Sequence, residues 1–194
     1  MSQKFKHLDK IHSYFAAGNV GSFFGGLAIG DQPFKADVFF FLFICVLLRV
    51  KFWIDDLEYF DNVAEGRHSA KRGFYIGLVM AILSWLPWLL AGFNDKNVPL
   101  SALFMMLVML FSTLWVFSTW IGDHPYREQV GWGFYNIIYM VGFFLLWKQN
   151  ASWFPMKDLH EYLPYAILTV MLVVFLFDLT NSRTLSALAS KQEP

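Results

Sequence analysis

Residues 101–121 read SALFMMLVMLFSTLWVFSTWI: twenty-one positions with three Met, three Phe, two Trp and no charge. In a helix rising about 1.5 Å per residue, such a run crosses the roughly 30 Å hydrocarbon core of a bilayer. Working outward from it, further apolar stretches occupy 14–30, 37–54, 73–93, 130–147 and 162–179, and the central one extends over 99–122. The pattern predicts an all-α, polytopic helical bundle integral to a membrane, a single membrane domain over 1–194.

Bulk composition agrees. The chain is 57% hydrophobic and 20% aromatic, with 22 Phe among 194 residues. Only 15% is charged, against about 25% in soluble domains. Net charge is zero and there is no basic tract, so nucleic acid is not expected as a partner. Cys45 is the only cysteine, which excludes an internal disulfide and a Cys-based metal site within one chain. Residues 1–12 read as a polar, basic tail without a cleavage site after it, so the first helix is expected to serve as its own insertion signal.

The count of spans turns on 14–30, a marginal stretch holding Gly18, Gly21, Gly25, Gly26 and Gly30. If it crosses, there are six spans. Lys4, Lys6, Lys10, Arg49, Lys51, Arg67, Lys71, Arg72, Arg127, Arg183 and Lys191 then share one side, and Lys35, Lys96, Lys148 and Lys157 the other. If it does not, five spans split the cations almost evenly. The excess of Lys and Arg on cytoplasmic loops favours six, with both termini in the cytoplasm and a bacterial inner (plasma) membrane as the expected site. Trp53, Trp120, Trp132, Trp147 and Trp153 fall near span ends, where indoles are favoured, while Trp85, Trp88 and Trp115 sit deeper.

Three constellations carry potential chemistry. The second span ends in RVKFWIDDLEYFD (49–61), opening a charged cytoplasmic segment over 55–72. Helical spacing puts Asp55, Glu58 and Asp61 near one face, a possible oxygen-ligand site for a divalent cation with His68 as an added ligand. The competing reading is a solvated helix extension whose Arg49 and Lys51 stems reach to the headgroups. Asp178, near the end of the sixth span, falls at the depth of Arg49 and Lys51, so an ion pair with one of them, or with Arg183, is expected. Ser84, Ser112, Thr113, Asn136 and Thr169 lie near the middles of their spans. They could line a solute path at the midplane, or bond helix to helix.

Smaller signals are weaker. Pro87 should kink the third span and free a backbone carbonyl that Ser84 could satisfy. Gly21 and Gly25 make one small-xxx-small match, suited to close helix contact and dimerisation. Asp123, His124, Pro125 and Glu128 read as a turn, His7, His12 and His160 as polar flanks, and Asn150–Ser152 as a chance glycosylation match. No phosphate loop, nucleophile elbow, zinc-protease motif or potassium filter is present. No cofactor is expected. The leading function is a small-solute channel, transporter or permease subunit, acting as a homo-oligomer or with a membrane partner subunit. The alternative is a non-catalytic assembly, sensor or immunity-type protein using the charged segment. A membrane lipid enzyme is the least supported, so catalysis is not favoured.

Overall fold

The computed structural model describes residues 6–28, 35–64, 72–119, 127–148 and 162–181. They form six helices and no strand: α1 (Lys6–Ala28), α2 (Ala36–Ala64), α3 (Arg72–Phe93), α4 (Val98–Thr119), α5 (Arg127–Lys148) and α6 (Leu163–Asn181). The chain is an all-α bundle. Four of the helices, α3 to α6, are long and apolar enough to cross a bilayer. The 23-residue α1 and 29-residue α2 have the length, but α1 is too polar and α2 carries Arg49, Lys51 and Asp55 inside its otherwise apolar run.

Along the chain α3, α4 and α5 pack as consecutive neighbours, α1 lies against α2 and α3, and α6 lies against α2 and α5. The core runs the length of the bundle through Phe41, Leu48, Trp88, Met105, Met109, Tyr139, Phe143 and Leu168. Large apolar side chains also cover the outside. Tyr14 and Phe24 on α1, Phe39 on α2, Leu86 on α3, Phe134 on α5 and Phe177 on α6 are each more than half exposed. A soluble monomer rarely shows so much apolar surface, whereas hydrocarbon favours it. The chain is a helical membrane protein.

Two helix ends differ from the sequence reading. α1 begins at Lys6, so residues 6–12 are helix rather than tail. Their last member, His12, is only 3% exposed. α2 continues as one helix to Ala64. Its charged half is not a solvated extension, because Arg49, Lys51, Asp55 and Asp56 are all buried.

The glycines act through a different pair from the one the spacing suggested. Among the described residues, a Cβ on Gly18 or Gly21 would meet nothing within 4 Å, and one on Gly25 would meet only the Phe93 ring. The close crossing is Gly26 of α1 against Gly92 of α3. A Cβ on Gly26 would overlap the Gly92 carbonyl, and one on Gly92 would overlap the Ser22 hydroxyl and the Phe23 backbone. Pro87 lies within a continuous α3. The Ser84 hydroxyl donates to the Ala81 carbonyl at 2.6 Å, not to the Leu83 carbonyl, to which Pro87 has no N–H to donate. After α3 the chain turns through residues 94–97. There Asn97 caps α4 by accepting the Leu100 N–H at 3.2 Å, and the Ser101 hydroxyl ties α4 back to the Ala91 carbonyl at 2.7 Å.

Candidate functional site

The charged half of α2 is the centre of the site. Helical periodicity places Lys51 and Asp55 one turn apart, and they form an ion pair buried on both sides. On the other side Lys51 Nζ lies 3.2 Å from Asp178 Oδ1 of α6. The Tyr139 hydroxyl of α5 donates to Asp178 Oδ2 at 3.0 Å. One ammonium thus holds two carboxylates, and the second carboxylate reaches a third helix. All four groups are buried, so each charge depends on its partners. Of the cations considered for Asp178, Arg49 makes no ion pair with it, and Arg183 lies outside the described residues.

Asp56, on a different face of α2, meets α1. Its Oδ2 lies 3.0 Å from His12 Nε2, a close approach without hydrogen-bond alignment. Aromatic rings enclose this corner. His12 packs edge-on against Phe60 with centroids 5.8 Å apart, and Phe15 stacks on Trp85 at 3.8 Å. Sequence reading missed His12 and Tyr139. A signal for His12 existed in α1: His12, Ala16, Asn19, Ser22 and Gly26 recur at helical spacing and are all buried, a polar and small stripe facing the bundle.

Between these groups lies a cavity lined by His12, Arg49, Lys51, Asp55, Asp56, Ser84, Ser112 and Asn136, with Trp85, Trp88, Trp115 and Trp132 among its apolar walls. It has room for about two water molecules. The charged turn of α2 and three members of the mid-span polar set therefore share one space. The other two members do not join it. Thr113 is buried but returns its hydroxyl to the Met109 carbonyl at 2.7 Å. Thr169 is exposed on the outer face of α6, because its neighbours Ile167 and Leu168 take the inward positions.

Among the described residues, no three His, Cys, Asp or Glu side chains come close enough to hold a metal ion. Asp55, Glu58 and Asp61 are not gathered into the cation site that their spacing allowed, since Asp55 turns inward to Lys51 while Glu58 and Asp61 are only half-buried. His68, His124 and Asn150–Ser152 lie outside the described residues.

A second polar focus sits at the α1–α3 crossing. Asn19 is fully buried, and neither its amide nitrogen nor its oxygen has a hydrogen-bond partner. Asp95, in the α3–α4 turn outside the spans, packs against Gly26, and both its carboxylate oxygens lack well-formed hydrogen bonds. Burial pushes the Asp95 carboxyl up to about 6, an effect that Lys96 offsets in part through its backbone N–H and its charge.

Fold and site together define a helical membrane protein with a charged, tryptophan-walled cavity inside its bundle. Compared with known proteins, the chain matches no family model, no curated protein and no solved structure.

Proposed function

We propose that the protein is a polytopic transporter or permease subunit that takes a small polar solute into the bundle cavity. One observation carries this reading: Ser84, Ser112 and Asn136, which come from three different helices, open into the same space as Arg49, Lys51, Asp55 and Asp56. Buried ionisable groups are expensive in a membrane and mark solute paths more often than they serve stability. Three of the four Trp lining the cavity would give a solute apolar walls between its polar anchors.

Six spans belong to this proposal. The apolar outer faces of α1 and α2, with Tyr14, Phe24, Phe39 and Phe43 exposed, suit hydrocarbon. Arg49, Lys51, Asp55 and Asp56, which interrupt the apolar run of α2, are buried in the bundle, away from lipid. Both termini are then cytoplasmic, and a bacterial inner membrane fits the cation asymmetry. A second copy or a partner subunit would sit against the open Gly18 and Gly21 face. The interaction-protein reading loses much of its basis, because Asp55 and Asp56 are turned inward rather than displayed.

The test is solute entry into proteoliposomes, followed by light scattering for a panel of formate, urea and glycerol. The protein should speed entry of at least one solute over empty liposomes. Asn136→Leu should abolish that effect while unfolding at an unchanged temperature. No acceleration for any member of the panel would refute the proposal.

A further inference from the structure

Arg49 is a buried cation of the cavity that forms no ion pair among the described residues, although Asp56 lies near enough to act on its charge. It is 2% exposed, and its Nε and Nη2 make no hydrogen bond. Trp88 covers it, with the guanidinium carbon 5.6 Å from the ring centroid. Of the neighbouring charges, Lys51 is held by Asp55 and Asp178, while Asp56 lies 3.0 Å from His12 without an aligned hydrogen bond and makes no ion pair with Arg49. A buried charge-bearing donor left without an acceptor is costly, by more than a neutral one. The same wall carries a second unused donor, the Trp132 Nε1–H, and the Asn136 amide also lines it.

We propose that the cavity is a binding site for a small monovalent anion, of the size of chloride or formate, held by Arg49 with help from Trp132. The planar guanidinium edge suits two oxygens of one carboxylate, and the indole N–H adds a donor. Size decides between anions. Room for about two water molecules admits a halide or formate and excludes a sugar acid. Arg49 also lines a wide apolar groove on the outer side of the α1–α2 pair, with Ala17, Val20, Gly21 and Phe24. This inference deepens the transport reading by naming the class of solute.

The test uses the full-length protein in an uncharged, lipid-free detergent. Sodium gluconate is replaced stepwise by sodium formate or sodium chloride at constant ionic strength, and thermal unfolding and tryptophan fluorescence are followed. A saturable rise in Tm and a fluorescence change with formate and chloride, absent with gluconate, are expected. Arg49→Lys should weaken the response at least tenfold and Arg49→Gln should remove it. If Arg49→Gln yields no folded protein, Trp132→Phe should still weaken formate binding several-fold. An equal response to gluconate, no response at all, or an undiminished response in these variants would overturn the proposal. So would a response that appears only when anionic phospholipid is added, which would assign Arg49 to a lipid headgroup. Binding without flux would leave this site standing and remove transport, while flux of urea or glycerol with no anion response would do the reverse.

Discussion

Lys51 neutralises Asp55 and Asp178 together, and the consequences of losing it differ from those of losing either acid. Lys51→Met would take the ammonium away from two buried carboxylates at once. Breaking a buried pair from one side costs about 3–5 kcal/mol, so this variant should unfold at a clearly lower temperature in detergent, or fail to accumulate. Asp178→Asn should cost distinctly less, because Lys51 keeps Asp55 and the Tyr139 hydroxyl keeps an acceptor. Equal losses in the two variants would show that the ammonium is not the hub. Asp95 makes a separate prediction, for pH. Its folded carboxyl titrates near 6, above the ordinary 3.8. The folded state therefore holds the proton more tightly than the unfolded chain does. The associated stability is fully present below about pH 4 and is lost as pH rises through about 6. Thermal unfolding measured across that window should show wild type declining relative to Asp95→Asn. Parallel profiles would contradict the assignment.

Helix α1 is held by shape as much as by chemistry. Its crossing with α3 depends on two glycines whose missing side chains let the Gly26 backbone approach the Gly92 carbonyl and the Ser22 hydroxyl reach Gly92. Gly92→Ala would force α1 away from α3, against backbone that cannot give. Overpacking of this kind costs about 1–3 kcal/mol, and it would also disturb Asp95 beside Gly26. Gly18→Ala and Gly21→Ala meet no atoms within 4 Å among the described residues. They should leave thermal stability unchanged or raise it by up to about 1 kcal/mol through helix propensity. Gly142→Ala falls between, since its Cβ would meet the Met171 side chain, an adaptable thioether rather than backbone. This ordering can be read from the unfolding temperatures of the four variants. It would be upset if Gly21→Ala proved as damaging as Gly92→Ala.

The bundle as a whole makes its prediction through topology. With six spans the two chain ends lie on one face and the α3–α4 turn on the other. In a Cys45→Ala background, single cysteines replacing Ser2 and Gln192 should both be labelled by a membrane-impermeant maleimide from the cytoplasmic side. A cysteine replacing Asn97, which is exposed in that turn, should be labelled from the opposite side. Labelling of the two ends from opposite faces would mean that α1 does not cross, and the depth match between α2 and α6 would need another explanation.

Hydrophobic runs such as 101–121 made the helices and the membrane class legible from composition alone, because burial in lipid acts on each apolar segment regardless of its neighbours. Depth along a span was legible too, since rise per residue is constant, and this put Asp178 level with Lys51. Facing was not. Thr169 and Asn136 looked alike as mid-span polar residues, yet one faces out and the other lines the cavity, since rotation about the helix axis is set by packing against other helices. The inward turn of Asp55 and Asp56, the recruitment of His12 and Tyr139, and the choice of Gly26 over Gly21 likewise followed from which helices meet. Burying a charge is tolerable only where another helix supplies its counter-charge, and no single segment contains that information.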